Sequence, residues 1–157
     1  MGFFGKIFKK ESPVKIPRGF HSVTVLKINR LTKDAVEVVF DIPQDLKSVF
    51  EFTPGQYLSI STEINGKEER RSYSICSGKG KPLAIAVKEV EKGIVSTWAN
   101  RNLKVGDSVL ISKPEGRFVL NGAKKVVAIA AGSGITPIMS MAAEVEQTSD
   151  ASMKLLY

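Results

Sequence analysis

The chain has 157 residues, 43% of them hydrophobic and 25% charged, with a formal net charge of +7. That balance excludes wholesale disorder and leaves room for one sizeable core with a fragment of a second. A single cysteine, Cys76, excludes an internal disulfide and a four-thiolate zinc or iron-sulfur site, so no metal site is expected; a reducing, cytoplasmic setting is compatible with it.

Residues 1–18 read as a basic leader, where Lys6, Lys9, Lys10, Lys15 and Arg18 outweigh Glu11 and carry over half of the net charge. With Phe3, Phe4, Ile7 and Phe8 interleaved, the leader is suited to touching an acidic membrane or partner, and a solvated tail is the plainer reading. Its short apolar stretch has neither the length of a membrane span, roughly 18 residues, nor a signal cleavage site. Lys6 stands where myristoylation wants Ser or Thr.

From His21 the text changes to short runs rich in Val, Ile, Thr and Tyr: HSVTVLKIN, AVEVVFDI, QYLSIST, RRSYSIC, LAIAVKEV and SVLIS. These six predicted strands are separated by turn material such as Pro54-Gly55, Asn65-Gly66 and Gly106-Asp107, as in a small antiparallel barrel or sandwich. Asn65-Gly66 is the strongest hairpin turn. The segment 94–107 breaks the alternation, because Val95, Trp98, Ala99 and Leu103 recur at helical spacing. One short helix is predicted there, with Ser96 able to cap it and its start just after Gly93. That start suits an anionic phosphate, and a plug for the barrel end is the equally open alternative.

After Asn121-Gly122 the continuous apolar run VVAIAA reads as a parallel strand buried on both faces. It leads into GSGITPIMSMAAEVEQ, where Pro137 suits a first helical turn and Ile138, Met141, Ala142 and Val145 form a buried stripe. MKLLY then reads as a second strand. Residues 122–157 thus read as a β-α-β beginning, expected to be the truncated start of a second domain.

Three local texts carry chemistry. In Arg71-Ser72-Tyr73-Ser74, strand alternation sends a cationic fork and an aromatic plane to one face, suited to a ligand with phosphate and ring, although packing and solvent also explain such residues. Gly93-Ile94-Val95-Ser96-Thr97 combines a glycine with a helix start and hydroxyls. Gly132-Ser133-Gly134-Ile135-Thr136-Pro137 sits between a buried strand and a helix, the setting of a dinucleotide-phosphate turn, with Pro137 replacing the usual last glycine. His21, the lone histidine, and Arg70 read as structural or solvated strand residues.

In this order and separation the three texts resemble the ferredoxin–NADP reductase superfamily, whose flavin domain has Arg-x-Tyr-Ser and Gly-x-x-Ser/Thr segments ahead of a Gly-x-Gly-x-x-Pro turn. The wider text, with PGQYL at 54–58, AVKEVEKGIVSTW at 86–98 and PEGRF at 114–118, is similar to the phenylacetyl-CoA oxygenase reductase and flavohemoprotein-reductase branch. The resemblance implies a mainly β fold: a six-stranded antiparallel Greek-key flavin-binding barrel over 19–121, then an incomplete α/β, Rossmann-like nucleotide domain. It implies FAD as cofactor, NADH or NADPH as reductant, hydride transfer to the flavin N5, and an iron-sulfur or haem protein or domain as electron acceptor.

Residue by residue, the resemblance implies that Arg71 pairs with the FAD pyrophosphate, Tyr73 packs on the isoalloxazine, and Ser74, in a catalytic role, bonds near N5. Ser72 belongs to the same motif. Val87 and Lys88 match the strand whose backbone holds the pyrimidine side, and Gly93, Val95, Ser96 and Thr97 match the pyrophosphate segment. Gly132, Gly134, Thr136 and Pro137 match the nucleotide turn, with Thr136 facing flavin and nicotinamide as the second catalytic candidate.

Two other readings compete. A basic oligonucleotide-binding barrel accounts for charge and strands but leaves GSGITP unexplained, so no nucleic-acid partner is expected. A flavin-free docking module on the same scaffold is opposed by the intact Arg71, Tyr73 and Ser74. Exposed apolar edges in 122–157 lead to the further expectation that this segment is the least stable part or pairs with its copy in a homodimer. A phosphate turn without the later strands of its pocket leaves the chain alone expected to be incomplete for catalysis.

Overall fold

The computed structural model describes residues 16–157, so the leader expectation, apart from its last residues, lies outside the described residues. Six strands form one antiparallel sheet: β1 (Phe20–Thr32), β2 (Ala35–Asp41), β3 (Tyr57–Ile64), β4 (Lys67–Ser74), β5 (Ala84–Lys88) and β6 (Ser108–Ser112). Their order is β4-β3-β6-β1-β2-β5, and a bridge between Ile75 and Ile85 brings the two edges together. The sheet curls into the expected barrel because alternate residues of each strand are apolar and meet at its centre, as with Val36, Val38 and Phe40 on β2. Ile60, Ile75, Ile85 and Ile111 complete this core.

The β3–β4 hairpin turns at Asn65 and Gly66, both with positive φ (54° and 75°), which matches the right-handed twist of the flanking strands. Between β5 and β6 the one short helix expected within 94–107 is α1 (Ile94–Arg101), starting just after Gly93. It buries Val95 and Ala99 against the barrel end. Its N-cap is Gly93, so Ser96 lies inside the first turn instead of capping it.

Beyond the barrel, β7 (Lys125–Ile129), α2 (Ile135–Glu146) and β8 (Ser152–Leu156) form the expected β-α-β unit, with β7 and β8 parallel. α2 buries Ile138, Met141 and Val145 as predicted, whereas Ala142 of the expected stripe is only partly buried, since it turns away from the face that packs on β7. The expectation that β7 is buried on both faces is corrected. Val127 and Ile129 are 68% and 78% exposed, because within the described residues α2 packs on one face of this two-stranded sheet and nothing covers the other. No described helix is long and apolar enough to cross a membrane.

Candidate functional site

Where β4 and β5 diverge beyond the Ile75–Ile85 bridge, a cleft of about 520 Å³ opens, a size suited to a cofactor-scale ligand. Arg71, Ser72, Tyr73 and Ser74 form one wall, Ala86, Lys88 and Val90 the second, and Gly93 to Ser96 the end. Gly132, Ser133 and Thr136 close the fourth side. Residues from all three motifs, up to 65 positions apart in the chain, thus share one cavity.

The β5 wall is a row of backbone groups. Phe40 N–H donates to Leu83 and Glu89 N–H donates to Asp34, so in the alternating antiparallel ladder Ile85 and Val87 bond to β2. Ala84, Ala86 and Lys88 therefore point their N–H and C=O groups away from β2. At Ala84 the outward groups are taken by Cys76 N–H and Ser77 Oγ; Ala86 and Lys88 face the cleft. Val87 is fully buried, and its carbonyl also accepts from Asn100 Nδ2 at 3.0 Å, so it stands outside the cleft lining. Ala86 takes that place, a residue with no chemical signature in the sequence.

At the end wall, the Ile94, Val95 and Ser96 N–H groups lead the helix and have no backbone acceptor upstream among the described residues, whereas Thr97 N–H already bonds to Gly93. Together with the positive end of the helix dipole they form an anion-binding surface. A Cβ on Gly93 would lie 2.3 Å from Ser96 Oγ and 2.6 Å from Val90 Cγ2, so any side chain there forces Ser96 and Val90 to move. Ser96 Oγ accepts from Val90 N–H and donates to Gly93 O, both at 3.3 Å, fixing the loop that delivers the helix. Asn100 holds the helix from below, its Nδ2 bonding Val87 O and Ser96 O while Arg30 grips its Oδ1 and carbonyl. This Arg30–Asn100 support was not anticipated from sequence, since the partners are 70 positions apart.

Arg71 reaches Glu69 at 3.2 Å and donates to the Arg70 carbonyl at 2.6 Å. Tyr73 is half-buried, and burial raises its phenol pKa, with the Arg71 charge opposing. Ser72 Oγ pairs with Ser59 Oγ at 2.9 Å, and Lys88 lies 3.8 Å from Asp34. Arg70 is occupied elsewhere, paired with Glu68 and over the Phe20 ring at 5.0 Å, and His21 packs edge-on against Phe50. Glycine at 132 (φ +54°) turns the chain into α2, which begins after Gly134. Thr136 lines the cleft, whereas Thr97, Gly134 and Pro137 lie outside its lining and shape the helix starts.

The family model for the oxidoreductase FAD-binding domain matches residues 22–120. The chain belongs to that family. It is 38% identical over 144 residues to a 1,2-phenylacetyl-CoA epoxidase subunit from Escherichia coli K12, covering 88% of this chain and 40% of the relative. Among solved structures it superposes on phthalate dioxygenase reductase, described as modular for electron transfer from pyridine nucleotides to a 2Fe-2S centre (TM-score 0.76, 29% identity, 87% of this chain and 43% of that one). It likewise superposes on flavohemoglobin from Malassezia yamatoensis with bound FAD and heme (TM-score 0.76, 26% identity, 87% and 37%). The chain therefore spans under half the length of each of these proteins. The donor set of the cleft, free helix N–H groups beside an arginine and a tyrosine, fits a ligand with a pyrophosphate and a flat ring.

Proposed function

We propose that this chain is the FAD-holding part of a cytoplasmic NAD(P)H-dependent oxidoreductase that passes electrons from NADH or NADPH to an iron-sulfur or haem acceptor. The observation that carries this is the shared cleft, which brings a helix N-terminus together with Arg71, Tyr73 and Ser74 beside an unpaired strand edge. Bound FAD supplies the hydride-accepting and one-electron chemistry.

The chain's own residues bind and orient. Arg71 and the Ile94 to Ser96 N–H groups hold the pyrophosphate, with Gly93, Val95, Ser96 and Thr97 giving that turn its shape. Tyr73 packs against the ring. Lys88 and Ala86 offer backbone donors and acceptors to its polar edge, with Val87 anchoring their strand from inside, and Ser72 steadies β4. Ser74 places a hydroxyl at the ring's reactive edge. Thr136, on the turn made by Gly132, Gly134 and Pro137, faces it from the nucleotide side and helps exclude water. Residues 19–121 hold the FAD, and 122–157 begin the nicotinamide-nucleotide unit. The uncovered Val127–Ile129 face of β7 pairs with that of a second copy, which light scattering after gel filtration reads as a dimer. Mass spectrometry of the ligand released from the purified chain tests the cofactor: FAD supports the reading, and a chain that neither retains nor takes up flavin refutes it.

A further inference from the structure

The cleft is built by two units, and its width depends on how α2 sits on the barrel. Thr136, Ser140 and Ala143 fall on one stripe of α2, at the three- and four-residue spacing that aligns side chains on a helix, and Gln147, its C-cap, continues that side. That stripe faces the loop following β4. Ser140, fully buried, donates its hydroxyl to the Ser77 carbonyl at 2.6 Å. Ser77 is itself tied to the barrel, its Oγ accepting from Ala84 N–H at 3.1 Å. Next to it, a Cβ on Gly78 would come within 2.8 Å of the Ala143 Cβ, so loop and helix touch there at backbone range.

We propose that Ser140 is a positioning residue: its bond to Ser77 fixes Thr136, one turn earlier on α2, across the cleft from Ser74, three residues before Ser77. This rests on the reading of the cleft as the FAD site. It assigns Ser140 a role in the spacing between the nucleotide-side and flavin-side walls. Apolar packing of α2, through Ile138 and Met141, holds the helix to its own sheet and to the Gly55 loop, and the Ser140 bond adds the directional polar contact on the side that carries Thr136.

The test uses the whole chain, with and without FAD, as parent, Ser140→Ala and Ser140→Thr. In Ser140→Ala, losing one buried hydrogen bond is expected to speed amide exchange in residues 132–137 about tenfold, with barrel amides unchanged. FAD affinity stays within about twofold, while the visible circular dichroism of bound FAD changes because one wall has moved. Ser140→Thr, which keeps the hydroxyl, restores both signals. Unchanged exchange in 132–137, or acceleration spread equally over the barrel, overturns the positioning role. Failure of the parent to bind FAD would sink the cofactor reading, and the ligand-free exchange arm would still judge the joint.

Discussion

Gly93→Ala separates a phosphate-binding helix start from a simple barrel plug. Residue 93 has φ −77°, which alanine adopts freely, so the substitution acts through space alone. The added Cβ would meet Ser96 Oγ at 2.3 Å, Val90 Cγ2 at 2.6 Å and the Val90 carbonyl at 3.0 Å. Ser96 can rotate away, losing its two 3.3 Å bonds, but Val90 and its backbone must shift with the first turn of α1. Overpacking of this kind costs about 1–3 kcal/mol. In the free chain the turn relaxes and avoids much of that cost. A pyrophosphate needs the N–H groups in their original place, so the cost reappears on binding as roughly a 5- to 150-fold loss of FAD affinity. Riboflavin, with the same ring and no phosphate, should bind the variant within about twofold of the parent. Flavin-fluorescence titrations read both. Equal weakening of the two ligands, or unchanged FAD binding, would refute the assignment of this turn to phosphate.

Gly55→Ala should be far more damaging, since its Cβ would fall 1.9 Å from the Phe118 carbonyl at a φ of +101°; a loss above about 3 kcal/mol, seen as a melting point lower by roughly 10 °C, is expected. Tyr73→Ala should weaken FAD by about tenfold or more through the lost ring contact. Ser74→Ala should instead leave FAD bound and slow its reduction by the nicotinamide nucleotide in the longer protein; reduction at the parent rate in stopped flow would exclude the N5 role. Burial, reinforced by Glu37, pushes the Cys76 thiol up to about 12 from 9.0, so the native chain keeps a proton that the unfolded chain releases across that interval. Stability should therefore fall as pH rises from 9 to 12, and at pH 8 alkylation should require unfolding; rapid labelling of the folded chain would contradict this.

What was legible in the sequence followed from local chemistry. Alternating Val and Ile mark strands whether or not their partners are known, and Asn65-Gly66 specifies its turn through the two positive φ values it tolerates. The Arg71, Gly93 and Gly132 texts could be recognised because phosphates demand arginines, glycines and helix starts. Features set by pairing across the fold were not visible. Which of Ala86, Val87 and Lys88 turns its backbone to the cleft depends on the β2–β5 register, and no property of Val87 alone reveals that its groups are spent inside. Ser96 reads as a cap because it is a serine near a helix start, but the chain enters the helix three residues earlier, at Gly93. The Ser140–Ser77 joint spans 63 positions and uses residue types common on any surface. VVAIAA reads as doubly buried because its composition is uniformly apolar, whereas exposure is decided by what packs on each face.

The most direct test is a calorimetric titration of the ligand-free chain with FAD and FMN. Both carry the same ring, but FMN has a single phosphate, whereas Arg71 and the free N–H groups of the first turn of α1 together offer donors for a pyrophosphate. The account predicts one FAD per chain, bound at least about tenfold more tightly than FMN, with that preference lost in Gly93→Ala. Equal affinity for the two flavins, or a preference that survives Gly93→Ala, would contradict it.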